Sequence, residues 1–175
     1  MSFFVVDVES DGPIIGVNSM VCFGAVMVTP ELNKTFYGKV KPISKQFVAE
    51  ALAISGFSRK EHEKFDDPFD VMPEFSKWIE SVNTYGKPIL ISDNNGYDAS
   101  WINYYMHVYN GGKNPFGWSS RRIGDLYCGM EKDAQAQWKH LRGKYPHNHD
   151  PVSDALGNAN ALLEIQKLGL KMKLV

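Results

Sequence analysis

Cysteine is nearly absent from this sequence: two residues in 175, Cys22 and Cys128. Two isolated cysteines fit neither a disulfide-stapled scaffold nor a cysteine-rich zinc site. Each sits among apolar neighbours and suits a reduced core thiol. No apolar stretch reaches the ~20 residues needed to cross a bilayer, so no membrane-spanning segment is expected. The N-terminus lacks a basic segment followed by an apolar run and a small-residue cleavage site, and a cytoplasmic location is the expectation. Neither sign of charge dominates, with 19 Lys and Arg against 20 Asp and Glu, a net charge of −1. That balance excludes a broadly polycationic protein and leaves room for a local basic patch. Internal repeats, low-complexity tracts and long Gly/Ser linkers are missing too, so residues 1–175 are expected to form one domain.

What is present is the composition of a globular protein, 43% hydrophobic and 13% aromatic. Residues 3–8, Met20–Val28 and Thr35–Lys41 read as strands, with "TPELNK" connecting the second and third as a hairpin. Short helices are expected around Gly56, over 47–64. Val71, Met72, Phe75, Trp78, Ile79 and Val82 follow helical spacing, with Asp70 as N-cap. Pro88–Ser92 reads as a strand, and Tyr97, Trp101, Tyr104, Tyr105 and Val108 mark a helix ending before Gly111. Arg122–Tyr127 is expected as a fifth strand and 130–141 as mostly helical. The last helix runs from Pro151 to Lys167, capped by Asp150 and stopped by Gly169. Strands that begin antiparallel and then alternate with helices predict an α/β domain, a mixed sheet with helices on its faces.

Acids gather at the ends of these elements. Asp7 and Glu9 close the first strand, two residues apart and so about 6.6 Å apart on one face. Asp98 falls in the first turn of the helix after a strand, on a stripe with Ile102, Tyr105 and Tyr109. Asp154 sits one turn into the last helix, beside Ala155, Leu156, Ala159 and Leu163. Taken singly, each has a plainer reading: a polar strand end, or an acid favoured by a helix dipole. His149 alone reads as a solvated loop residue. Their order and spacing together point elsewhere.

The combination resembles the DEDD exonuclease superfamily in its histidine-containing form, which includes proofreading domains, RNase T and oligoribonuclease. Asp7-Val8-Glu9 with the following "SDG" matches the first motif, and Asn94-Asn95-Gly96-Tyr97-Asp98-Ala99-Ser100-Trp101-Ile102 the second. His149 to Asp154-Ala155 matches the third, H-x-x-x-x-D-A. "AISGF" (53–57) and "IGDLY" (123–127) resemble the segments between motifs, the latter as the strand before the third. The likeness spans nearly the whole chain and is nearest to stand-alone bacterial and phage exoribonucleases. Asp93 departs from the histidine many relatives carry there, and 128–148 has no counterpart that can be placed.

The resemblance implies an RNase H-like, mixed five-stranded sheet flanked by helices. It implies a 3′–5′ exonuclease on single-stranded RNA or DNA ends, RNA slightly favoured, releasing nucleoside 5′-monophosphates. Four carboxylates without sulfur call for Mg²⁺ or Mn²⁺. A pair of ions, ~3.5–4 Å apart, suits phosphoryl displacement. By resemblance Asp7 bridges both ions, Glu9 and Asp154 complete the site that activates water, Asp98 holds the second ion, and His149 is the general base. Ser10, Asp11 and Gly12 would shape the pocket for the terminal nucleotide, with Asn94 beside it. Phe57 offers a stacking face, whereas Tyr97 and Trp101 read as core. Lys139, His140, Arg142, Lys144, His147 and His149 fall within eleven residues. From that run Lys139, Arg142 and Lys144 are expected on substrate phosphates. A homodimer is a further expectation, since RNase T and oligoribonuclease are dimers. The alternative is a catalytically silent nucleic-acid-binding module on the same fold.

Overall fold

A computed structural model describes residues 1–173 of the chain. β1 (Ser2–Ser10) is the middle of a five-stranded sheet of order β3-β2-β1-β4-β5. β2 (Met20–Met27) pairs antiparallel with β1, and β3 (Thr35–Lys39) antiparallel with β2. β4 (Pro88–Ser92) lies parallel to β1 on its other side, and β5 (Ser120–Arg122) parallel to β4. This is the mixed sheet the strand–helix order predicts.

Both faces of β1 are covered, which is why its sequence is an unbroken apolar run. Phe4, Val6 and Val8 point to the side packed by α3 (Pro68–Val82) and α4 (Asn95–Tyr109), with Phe75, Ile79, Trp101 and Ile102. Phe3 and Val5 point to the opposite side, against Ala155, Ala159, Leu162 and Ile165 of α6 (Pro151–Leu168). The period of two then puts Asp7 and Glu9 on the α6 side. Close approach of α6 depends on Gly24, which pairs across the sheet with Asp7. A Cβ on Gly24 would stand 2.3 Å from the carbonyl carbon of Pro151, so only glycine lets the first turn of α6 settle beside Asp7.

α1 (Ala49–Ile54) and α2 (Arg59–His62) are the short helices on either side of Gly56, the second opened by a Ser58–Glu61 capping box. α3 begins earlier than its apolar spacing implies: Asp67, not Asp70, caps it by accepting the Phe69 N–H at 2.9 Å, with Pro68 next. The expected strand at Arg122–Tyr127 is a helix instead. β5 pairs with β4 only from Ser120 to Arg122, where β4 ends. Beyond it, Ile123, Leu126, Tyr127 and Met130 recur at helical spacing and pack against the α6 cluster as α5 (Ile123–Glu131). The helix expected over 130–141 is not formed. The polar stretch 131–135 is exposed, offers no apolar face, and leads to a single 3₁₀ turn at Lys139–Arg142. Asp150 and Gly169 bound α6 as expected, Asp150 accepting the Ser153 N–H at 2.7 Å. Among the described residues no helix is long and apolar enough to cross a membrane.

Candidate active site

Asp7, Glu9 and Asp154 come together between β1 and α6, each offering a carboxylate oxygen within 4.8 Å of the others. Asp98 reaches the same place from α4. Its Oδ1 accepts the Val8 N–H and its Oδ2 the Asn94 N–H, both at 3.2 Å, which ties the first turn of α4 to β1 between Asp7 and Glu9. Asp98 and Asp154 are buried, and Glu9 nearly so. Burial, and then the charges of Asp98, Asp154 and Glu9, hold the Asp7 carboxyl well above the usual carboxylate range. Burial and Asp154 push Glu9 up to about 7, and burial pushes Asp98 up to about 7.

The consequence for stability has a definite sign. These carboxyls bind protons more tightly folded than unfolded, so stability is fullest below the ordinary carboxylate range and declines as pH rises towards about 7. In EDTA the melting temperature is therefore expected to fall between pH 4 and pH 7 through these groups, and Mn²⁺ should restore it at the upper end. A metal-free melting temperature that climbed across this window would contradict the charge crowding.

Asp154 is held on both oxygens. Oδ1 accepts Arg142 Nη2 at 2.6 Å and the Asn148 N–H at 3.3 Å. Oδ2 accepts the His149 N–H and lies near His147 Nδ1, each at 2.9 Å. His149 reaches this position with φ +61°, an uncommon conformation for a side-chain-bearing residue. Its Nδ1 lies 3.5 Å from Glu9 Oε1, and its ring is half-exposed. The imidazole thus meets Glu9 through Nδ1 and packs beside the His147 ring, with about half of the side chain open to solvent.

The remaining sequence-expected residues divide. Ser10 Oγ bonds the Tyr97 hydroxyl at 2.5 Å and the Gly12 carbonyl at 2.6 Å, closing the turn after β1. Gly12 is pressed on Asn18, whose side-chain carbon would stand 2.4 Å from an added Cβ. The Asp11 side chain is turned inward. It is fully buried, bonds Arg59 Nη1 at 2.8 Å and accepts the Ser19 N–H, so it braces the turn against α2. Phe57 shares a cavity of about 230 Å³ with Tyr37, Ser55, His149 and Asp150, where a terminal base could meet its ring. Asn94 serves through its backbone, by the bond to Asp98. Trp101 is core, and Tyr97 is half-buried at the site's edge.

Of the basic run, Lys144 is exposed, and Lys139 is exposed in a 2.9 Å pair with Asp93. Arg142 corrects the expectation of a phosphate contact. It is buried against Asp154 and also donates to the Tyr145 carbonyl at 3.3 Å. Its guanidinium lies against Gly157, where a Cβ would come within 2.7 Å of Nε. The sequence does not show the pairing of this arginine with Asp154, because charge in a loop beside a candidate site reads as a phosphate contact. The available clue was Gly157, a poor helix former placed one turn beyond Asp154.

No family model matches the sequence. The 3′–5′ DNA exonuclease Cap18 of Escherichia coli is 38% identical, over 98% of this chain and 95% of that protein. Among solved structures, the nuclease domain of 3′hExo, a DEDDh family member bound to rAMP, superposes with a TM-score of 0.78 at 18% identity. That match covers 99% of this chain and 96% of that one. Escherichia coli exonuclease I in complex with a dT13 oligonucleotide gives 0.67 at 18% identity, over 97% of this chain and 41% of that one. These structures share the fold, and the full-length relative carries the kinship into sequence: the chain belongs to the DEDDh exonucleases and is a 3′–5′ exonuclease.

Proposed function

We propose that the enzyme shortens single-stranded DNA from its 3′ end by divalent-metal-dependent hydrolysis, releasing nucleoside 5′-monophosphates. The observation that carries this reading is the convergence of Asp7, Glu9, Asp98 and Asp154 around one buried place. Arg142 is the only arginine or lysine buried among the described residues. Carboxyls crowded until their protons are held near neutrality are short of positive charge, and their donors are all hard oxygens, the set Mg²⁺ and Mn²⁺ take. Asp7, Glu9 and Asp154 would hold one ion, and Asp7 with Asp98 a second. Bound there, the ions would supply stabilisation of charge on the attacking and leaving oxygens.

The chain's own groups do the rest. His149, half-exposed and oriented by Glu9, takes the proton from the attacking water. Water oxygen bonds to the terminal phosphorus and the bond to the 3′ oxygen of the preceding nucleotide breaks, leaving a 3′ hydroxyl on the shortened strand. Phe57, with Tyr37 across the cavity, offers the terminal base an aromatic wall. Lys139 and His140 border a second cavity of about 400 Å³ beside Arg142 and Tyr145, a place for the next phosphates of the strand.

The choice of DNA rests on the 38% relative, which is named a DNA exonuclease. A full-length sequence relative weighs more on substrate than the general resemblance that favours RNA. Matched 5′-labelled DNA and RNA oligomers, each with Mg²⁺ or Mn²⁺, test it. Ladders shortening from the 3′ end are expected, faster on DNA and absent in EDTA. A faster RNA ladder would reverse the sugar assignment, and no ladder on either would overturn the substrate class. An intact ladder in EDTA would remove the metal. The silent binding module is set aside by membership of the exonuclease family.

A further inference from the structure

Asp154 belongs to two groups of donor atoms. One is the acidic group with Asp7 and Glu9. The other is His147, His149 and Asp154, whose donors also lie within 4.8 Å of one another. His147 stands outside the family motifs, in the stretch that has no placed counterpart. Yet its Nδ1 comes within 2.9 Å of Asp154 Oδ2, and its ring sits 4.4 Å from the His149 ring at 66°. Both imidazoles approach from the solvent side, with side chains 54% and 48% exposed, while the carboxylate below them is buried.

We infer that His147, His149 and Asp154 form an inhibitory site for a borderline-soft divalent ion such as Zn²⁺. Two imidazoles and one carboxylate are a donor set that Zn²⁺ favours and Mg²⁺ does not, since Mg²⁺ prefers oxygens in an octahedron. Tetrahedral ligands bonded at ~2.0–2.1 Å stand roughly 3.3 Å apart. The 2.9 Å His147–Asp154 spacing is shorter than that, and small rotations of the exposed imidazole rings would open it and bring in His149. The surroundings favour a cation. Glu9 Oε1 is 3.5 Å from His149 Nδ1 and Asp7 is on the same face, and their negative charge outweighs the Arg142 guanidinium, which is bonded to the far oxygen of Asp154 and leaves Oδ2 to the ion. An ion seated there occupies the imidazole proposed as base and an oxygen of Asp154, so it stops hydrolysis that Mg²⁺ or Mn²⁺ sustains. The inhibitory consequence rests on the hydrolytic reading above; binding itself does not.

The test uses the full chain and His147→Ala, which removes one imidazole donor and keeps His149 and the four acids in place. Co²⁺ is the spectroscopic probe, because low-symmetry nitrogen–oxygen coordination gives it strong visible absorption. The wild type is expected to develop that absorption and His147→Ala to lose most of it. With Mg²⁺ present, the Zn²⁺ concentration that halves activity should rise at least about tenfold in the variant, the scale of a lost metal contact. Each midpoint is read relative to that protein's own rate without Zn²⁺. Equal Co²⁺ spectra and equal Zn²⁺ midpoints would place any soft ion among the acids alone and overturn the site. No Co²⁺ absorption in the wild type, or loss of absorption with unchanged Zn²⁺ inhibition, would overturn it as well. If the chain hydrolysed no nucleic acid, the Co²⁺ spectrum would still report on His147, which separates the two failures.

Discussion

Asp7→Asn is expected to abolish hydrolysis while making the metal-free protein more stable. The side chain keeps its shape and loses its charge. Metal stabilisation of a reacting phosphate is worth several kcal/mol, and at about 1.4 kcal/mol per tenfold the loss is a thousandfold or more. The stability gain follows from burial and the neighbouring charges of Asp98, Asp154 and Glu9, which raise the Asp7 carboxyl. Removing a charge that the fold disfavours stabilises the protein at neutral and higher pH. At pH values low enough to protonate Asp7 the advantage should disappear. Melting curves in EDTA at pH 8 and at pH 4, beside rates in Mn²⁺, check both halves. A variant less stable than wild type at pH 8, or one that still turns over, would contradict the assignment. The opposition between stability and activity is itself informative: Asp7 is held against its own electrostatic preference.

Arg142→Ala should act in the opposite sense on stability. Arg142 and Asp154 are both buried and bonded at 2.6 Å. Removing one member of a buried pair costs about 3–5 kcal/mol, because the other is left charged and unpaired. For a chain of this size that is a fall of roughly 10 °C in melting temperature. Activity should fall with it, since the guanidinium fixes Asp154 Oδ1 and thereby holds the carboxylate in place beside Asp7 and Glu9. Arg142→Lys should recover only part, because a single ammonium cannot reproduce the planar guanidinium lying on Gly157. Combining Arg142→Ala with Asp154→Asn should recover much of the stability and none of the activity. The salt dependence of substrate binding separates this role from phosphate contact. It should be unchanged in Arg142→Ala, whereas a flattened slope would return the arginine to the substrate.

Much of this was legible in the sequence where chemistry and periodicity agree. The apolar run of β1 announces a strand covered on both faces, and its Asp7-Val8-Glu9 end puts two acids on one side. Asp150-Pro151 and Gly169 bound α6 by local rules alone, which fixed Asp154 one turn in. Legibility failed where tertiary contacts decide. "RIGDLY" has strand-like residues, but its partner strand ends at Ser92, so the chain coils into α5 once pairing runs out. Asp11 looks like a third member of an alternating acidic series. The pairing register shifts between Glu9 and Ser10, and Asp11 turns inward to Arg59, 48 residues away. Arg142 reads as a phosphate contact and His147 as part of the same basic run because their common partner, Asp154, is distant along the chain and close in space. Local pattern identified the acids; long-range packing chose which cations attend them.

The measurement that bears most directly on the central claim is Mn²⁺ binding by titration calorimetry at pH 8, wild type against Asp7→Asn. The account predicts binding in the wild type that weakens as pH falls through 7, where Glu9 and Asp98 take up protons, and binding lost in the variant. Equal Mn²⁺ binding by the two proteins would contradict it: the acids gathered at the end of β1 would then not be the metal site.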